Sequence, residues 1–167
     1  AIEVKKQFPA TLNIVVRERV LWGIYCNDLD ARVTITCAYL DNTGYAYMSS
    51  PVPEGSLILK IRGNSERVEL GSYVVRREIA ERMRFLASRL VDVAGAEPVE
   101  FELRVDLPSE IRVVMPEGYR IFFRRDDDFD NAFRVLENVL GEEIKDKRSR
   151  LGYIDLRFGN KVFYKMR

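Results

Sequence analysis

A chain of 167 residues, 47% hydrophobic and 32% charged, has enough apolar mass to bury a real core as one domain or two small ones. Its 27 Lys and Arg against 26 Asp and Glu leave a net charge of +1, which excludes a general pull toward nucleic acid or an anionic membrane and confines binding to local features. No stretch approaches the roughly 20 apolar residues of a membrane helix, and the opening Ala1-Ile2-Glu3-Val4-Lys5-Lys6 lacks a signal peptide's apolar segment. That opening already reads as strand and carries no Met, which suggests that an upstream segment was removed.

Residues 2–6 and 11–25 read as strands joined through Gln7-Phe8-Pro9-Ala10, with Leu12, Ile14 and Val16 on one face and Asn13 and Arg17 on the exposed side. The next strand, 32–40, turns through Asp41-Asn42-Thr43-Gly44 into 45–48. After the breakers in 49–55, residues 57–61 are apolar enough for an interior strand, and a short extended piece surrounds Val68 and Leu70. Val75, Ile79, Met83, Leu86 and Leu90 then recur every three or four residues, with Arg76, Arg77, Glu78, Glu81, Arg82 and Arg89 on the other side and Gly95 as a stop. This is a long helix with a solvated, mixed-charge outer face.

Val99, Phe101, Leu103 and Val105 alternate with Glu100, Glu102, Arg104 and Asp106, a half-buried strand with a charged outer face. Residues 111–115 and 119–123 pair through Pro116-Glu117-Gly118, and Asp126-Asp127-Asp128 leads into a second helix carrying Phe129, Phe133, Leu136, Val139 and Leu140 on one side. Residues 142–150 read as a charged tail of that helix or as a loop. The chain closes on a hairpin: Ile154, Leu156 and Phe158 alternate with Tyr153, Asp155 and Arg157, residues 158–161 turn, and Val162, Tyr164 and Met166 alternate again. A terminal strand is expected at a sheet edge, where unpaired N–H and C=O groups are open to a partner; the same alternation equally reads as a strand pair that only completes the core, and the pattern alone favours that second reading. The order of elements, with hairpins rather than βαβ crossovers, predicts an α+β fold: a mostly antiparallel sheet with two long helices packed on it.

Chemistry is hard to find in this pattern. Cys26 and Cys37 flank a turn-forming segment, and a disulfide, two buried thiols or a metal pair are all open to them. A disulfide closing so short a loop adds roughly 2–3 kcal/mol. Histidine is absent, which removes the commonest general base and metal ligand, and no phosphate-binding loop or nucleophile elbow is present. Asp126, Asp127 and Asp128 read as a helix cap rather than a metal or acid/base cluster. No catalytic residue, cofactor or metal site is expected. Tyr45, Tyr47, Tyr119, Phe122, Phe158, Phe163 and Tyr164 lie on strands and read as core or protein interface rather than a nucleic-acid platform.

Four pieces, in order, resemble the bacterial cell-division family of FtsQ and DivIB. Phe8-Pro9-Ala10-Thr11-Leu12-Asn13-Ile14-Val15-Val16-Arg17-Glu18-Arg19 is similar to the Pro-x-Thr-Leu-x-Ile-x-Val-x-Glu signature that ends the family's POTRA domain. Residues 39–47 are similar to its Asp-x-x-Gly-x-x-aromatic hairpin, residues 110–123 to a later one, and Tyr153-Ile154-Asp155-Leu156-Arg157-Phe158 to its closing strand. The resemblance implies a truncated POTRA hairpin at 1–22 followed by a β domain at 23–167. It also implies a non-catalytic scaffold facing outward from the inner membrane on a single upstream helix, binding FtsL/FtsB-type or DivIC-type partners and helping control septal peptidoglycan synthesis. The partner would add a β-strand to the closing hairpin, through Tyr153, Asp155, Arg157, Phe158, Asn160, Val162 and Tyr164. An outward location favours the Cys26–Cys37 disulfide. Lys161, Lys165 and Met166 depart from the small and aromatic residues common at the matching family positions. A POTRA-type chaperone or transport module of the cell envelope is the alternative.

Overall fold

The computed structural model describes the chain except residues 1, 17, 29–31, 33, 65–67, 105, 127 and 160. Ten strands form one sheet: β3 (Leu21–Cys26), β4 (Cys37–Asp41), β5 (Tyr45–Ser50), β6 (Lys60–Gly63), β7 (Ser72–Tyr73), β8 (Glu100–Leu103), β9 (Glu110–Val114), β10 (Arg120–Arg124), β11 (Leu151–Phe158) and β12 (Lys161–Met166). Their order across the sheet is β12-β11-β10-β9-β8-β6-β3-β4-β5-β7. Two preceding strands, β1 (Ile2–Gln7) and β2 (Thr11–Val16), pair only with each other. The helices α1 (Arg77–Ala94) and α2 (Phe129–Asn138) complete an α+β fold whose sheet is mostly antiparallel.

The expectation of hairpins without crossovers fails. β3 runs parallel to β6, β6 to β8, and β10 to β11, so α1 and α2 are each the crossover of a βαβ unit. Each helix must bury its apolar stripe on the sheet, and a helix lying back along the sheet returns the chain to the end where the previous strand began. The stripe of α1 is Ile79, Ala80, Met83, Leu86, Leu90 and Ala94; that of α2 is Phe129, Ala132, Phe133 and Leu136. Phe85 stacks on Phe129 with ring centroids 6.0 Å apart and meets Phe133 edge-on at 6.3 Å, so both helices occupy one face. Beneath them lie Tyr25, Leu40, Ile61, Phe101, Ile111, Ile121, Phe123 and Ile154, all buried. Large side chains of this kind contribute about 1.5–3 kcal/mol each.

The ends of both helices follow the sequence signals. Gly95 takes a left-handed conformation and its N–H donates to the Val91 carbonyl, while the Asp128 carboxylate accepts from Asp130 N–H at 3.0 Å. The tail after α2 is helical but irregular, a π-helical turn at Val139–Ile144 and a 3₁₀ turn at Lys145–Arg150. Arg148 reaches from that turn to the Ala94 carbonyl, 2.6 Å away, placing a cation at the C-terminal end of α1.

Several strand boundaries move. The run 11–25 breaks at 18–20, so Leu21 and Trp22 already belong to the large sheet rather than to the first unit. The fourth strand begins at Cys37 and not at 32. The apolar run 57–61 gives its strand only at Lys60, and Leu57 is fully exposed. The register is set at Gly63, where any Cβ would collide with the Tyr25 side chain. Seating Tyr25 there places Ile61 in the core and leaves Leu57 ahead of the strand. Val68 and Leu70 are irregular, and the extended piece is the two-residue β7.

Other local features are as the sequence pattern implies. Asp41 folds the β4–β5 turn by accepting from Thr43 N–H at 2.9 Å, Thr43 Oγ1 at 2.6 Å and Tyr45 N–H at 3.2 Å. Gly44 completes it with φ +84°, against the Val75 carbonyl. Cys26 and Cys37 face each other across β3 and β4 with Cα atoms 4.2 Å apart and form a disulfide, which settles the three alternatives the spacing left open.

In the β1–β2 hairpin, Val4 lies opposite Ile14, so Val4, Leu12, Ile14 and Val16 share a face as the alternation predicts. All four are exposed. Among the described residues nothing covers them, and an isolated two-stranded hairpin is marginal in water.

Candidate functional site

The face of the sheet away from the helices carries a ladder of charge that leads to the closing hairpin. Register places Glu102 opposite Arg112, Arg112 opposite Phe122, and Phe122 beside Asp155, which lies opposite Phe163. Side chains of residues paired in this way point to the same face. Glu102, Glu110 and Asp155 are each within 6% of full burial. The charged outer face expected for β8 is therefore sealed by its own ion pairs rather than solvated.

Arg157 is the junction. Its Nε and Nη2 donate to the two oxygens of Asp155 at 2.8 and 2.6 Å, and Nη1 donates to Glu110. The hydrogen bonds to Asp155 raise the Arg157 pKa against the opposing effect of burial. Its guanidinium also lies 5.2 Å from the Phe122 ring centroid and 5.9 Å from that of Phe158. Arg112 covers the same Phe122 ring at 5.3 Å, pairs with Glu110, and stands 3.6 Å from Glu102, which Arg120 meets at 3.5 Å. Tyr153 packs its ring 5.7 Å from Phe122. A planar cation held by two carboxylates and stacked on an aromatic face is fixed in orientation. The ladder is thus a preset surface.

The hairpin itself is split between two faces. Tyr153, Asp155 and Arg157 belong to the charged face, whereas Tyr164 lies opposite the core residue Ile154, and Val162 and Met166 pack against the core. The Tyr164 hydroxyl is 3.5 Å from Glu143 Oε2. Phe158 departs from its expected place beside Ile154 and Leu156, because the pairing shifts between Asp155 and Phe158 and swings its ring out to 53% exposure. There it meets Phe163 edge-on, centroids 5.2 Å apart, and Phe163 is 52% exposed. Asn160 lies outside the described residues.

Phe163, read from the sequence as core or protein interface, is absent from the partner-binding set the resemblance implies, although its place out of phase with Val162 and Tyr164 puts it on the face opposite theirs. Alternation put Glu102 on a charged outer face, but the pairing of Glu102 with Arg112 and Arg120 and of Glu110 with Arg157 carried no local signal, since those partners arrive from other strands. Beyond this aromatic pair the outer edge of β12 has no neighbouring strand among the described residues, because β12 ends the sheet. The edge offers main-chain donors and acceptors over six residues, flanked by Lys161 and Lys165.

The remaining candidates have structural places. Asp128 caps α2, Asp126 is exposed, and Asp127 lies outside the described residues. Among the described residues no group of three or more His, Cys, Asp or Glu side chains could hold a metal ion. No helix among them is long and apolar enough to cross a membrane, and the Cys26–Cys37 disulfide is compatible with an extracellular setting. The sequence matches no protein-family model and no curated protein.

Proposed function

We propose that this chain is a non-catalytic docking module of the FtsQ/DivIB type, an extracytoplasmic scaffold of the bacterial division machinery carried on an upstream inner-membrane helix. It captures a strand of an FtsL/FtsB-type or DivIC-type partner on β12 and through that contact helps regulate septal peptidoglycan synthesis. One observation carries this reading: the sheet ends on an uncovered six-residue strand with the exposed Phe158–Phe163 pair beside it. In strand addition, main-chain hydrogen bonds supply affinity and alternating side chains supply specificity. Arg157 keeps the aromatic pair in place, and Lys161 and Lys165 select an acidic partner while discouraging edge-to-edge pairing of identical chains.

The test is binding of the cognate partner ectodomains to the immobilised chain. Phe158→Ala with Phe163→Ala is expected to weaken capture by about 10- to 100-fold, the range for a central aromatic pair, with circular dichroism unchanged. Wild-type binding by the double variant would sink the proposal. The uncovered apolar face of the β1–β2 hairpin favours one second reading, a cell-envelope chaperone or transport module. Equal capture of unrelated unfolded outer-membrane chains would select it.

A further inference from the structure

A second feature lies at the far end of the helix-covered layer. β3, β6, β8 and β10 all run in one direction, the first three by direct parallel pairing and β10 through the antiparallel β9. In open sheets with such strands, ligands sit in the crevice beyond the carboxyl ends. That crevice exists here as a cleft of about 280 Å³ whose walls include Tyr25 at the end of β3, Leu103 at the end of β8, and Ile79 of α1.

Three arginines line it: Arg76 just ahead of α1, Arg104 just after β8, and Arg125 just after β10. Arg104 is held by Asp106 through bonds of 3.1 and 2.7 Å, and Asp106 in turn accepts from Asn64 at 2.8 Å. Arg76 and Arg125 have no carboxylate hydrogen-bonding partner among the described residues. The Arg125 backbone is fixed by its N–H to the Ser109 carbonyl at 2.7 Å, yet its side-chain Nε is buried with no hydrogen-bond partner. A buried donor left unpaired costs stability, as does bringing like charges together in a partly buried cleft. Burial first, and the Arg76 charge second, lower the Arg125 pKa, with Asp126 opposing them. The N-terminal end of the 18-residue α1 adds a further positive field at the same place.

We infer that this cleft binds a small organic phosphate, its phosphoryl oxygens taken by Arg76 and Arg125 and its apolar body resting on Tyr25, Leu103 and Ile79. Guanidinium forks match phosphate oxygens in pairs, and the apolar walls separate such a ligand from free phosphate. The inference is independent of the proposed docking edge, because no residue lining the cleft lies on β11 or β12.

Calorimetric titration of the full chain with phenyl phosphate, benzoate and inorganic phosphate tests it. Phenyl phosphate is expected to bind most tightly, at least about tenfold better than either of the others, the value of one good charged or apolar contact. Arg76→Gln and Arg125→Gln each weaken it by about tenfold or more, while Arg134→Gln on α2 leaves it unchanged. Without ligand, Arg125→Met raises the melting temperature, because it removes an unpaired buried donor. Co-sedimentation with phosphatidylcholine vesicles containing phosphatidic acid separates the sources: binding there that Arg76→Gln abolishes assigns the phosphate to a lipid headgroup, and its absence assigns a soluble ligand. No heat with phenyl phosphate, tighter binding of benzoate, or affinity unchanged in Arg76→Gln overturns the inference. A lower melting temperature for ligand-free Arg125→Met overturns it too, since Arg125 would then be structural.

Discussion

The two edges of the ten-stranded sheet are finished in opposite ways. At one, β7 pairs with only Tyr45 and Ala46 of β5, and the Tyr73 ring meets Tyr45 edge-on at 5.3 Å. β5 then runs into Pro51 and Pro53, which cannot donate to a further strand. Around this edge the chain is clamped by the Cys26–Cys37 disulfide and by Asp41, whose carboxylate organises its turn and also receives Arg19. At the other edge β12 is six residues long and has no outer neighbour among the described residues, and the face beside it is held by ion pairs and aromatic stacking rather than covalently. Natural sheets shorten, cover or charge their edges to avoid aggregation. One edge here is shortened, whereas the other is left long and merely charged, the state expected of an edge that is used.

The largest effect should fall on the clamped side. Cys26→Ala with Cys37→Ala is expected to cost about 2–3 kcal/mol in urea unfolding, the value of closing an eleven-residue loop. Partner affinity measured below the new unfolding transition should stay at the wild-type level, and a matching loss of affinity would show that the two edges are coupled.

Next comes the open side. Arg157→Met removes both side-chain hydrogen bonds to the nearly buried Asp155 and leaves the nearly buried Glu110 with Arg112 alone, and should cost about 1–3 kcal/mol once its partial exposure is discounted. It should also weaken partner capture, since the Phe158 ring loses its support. Unchanged stability would mean that the ladder is screened and does not hold the edge.

Asp41 gives a pH signature confined to the clamped side. Burial alone raises its pKa, but the hydrogen bonds from the Thr43 side chain and backbone, Arg19 and Tyr45 together bring it below the usual 3.8. A carboxyl depressed in the folded state stabilises above its unfolded pKa and loses that contribution as pH falls through the folded value. Asp41→Asn should therefore cost about 1–2 kcal/mol near pH 7, with the penalty shrinking below about pH 4. A penalty that is the same at pH 3 and pH 7 would contradict the assignment.

The smallest effect is a gain. The Tyr119 hydroxyl is buried without a hydrogen-bond partner, and burial, with Glu117 adding to it and Arg148 opposing, pushes its pKa up to about 12. Tyr119→Phe should leave stability unchanged or raise it by up to about 1 kcal/mol. An ultraviolet titration should show one tyrosine resisting ionisation until about pH 12 in the wild type only.

Local signals in the sequence located most of the elements. The α1 stripe from Ile79 to Leu90, its Gly95 stop, the Asp128 cap, and the alternation through Phe101 and Ile111 all depend on neighbours within a few residues, so they could be read directly. Strand direction could not, because whether β8 runs with or against β6 depends on where α1 returns the chain. Leu57 and Ile58 look like core by composition, yet Gly63 and Tyr25 fix a register that leaves them outside. The charge ladder was invisible for the same reason: Glu110 and Arg157 are 47 residues apart, and only their meeting across the sheet lets an exposed-looking carboxylate be buried against a half-exposed arginine. The candidate contact residues were half legible. Alternation separated Tyr153, Asp155 and Arg157 from Ile154 and Leu156, but the bulge that turns Phe158 toward Phe163 has no mark in the sequence.

The proposed docking edge is tested most directly by amide hydrogen exchange of the chain alone and in complex with the ectodomain of a proposed partner. Added protection should concentrate in residues 161–166, with residues 45–50 at the opposite edge unchanged, because β12 is the full-length edge strand of the large sheet, whereas the other edge is the two-residue β7 backed by Pro51 and Pro53. Protection that appears at 45–50 or in the β1–β2 hairpin while 161–166 exchange as in the free chain would contradict the account.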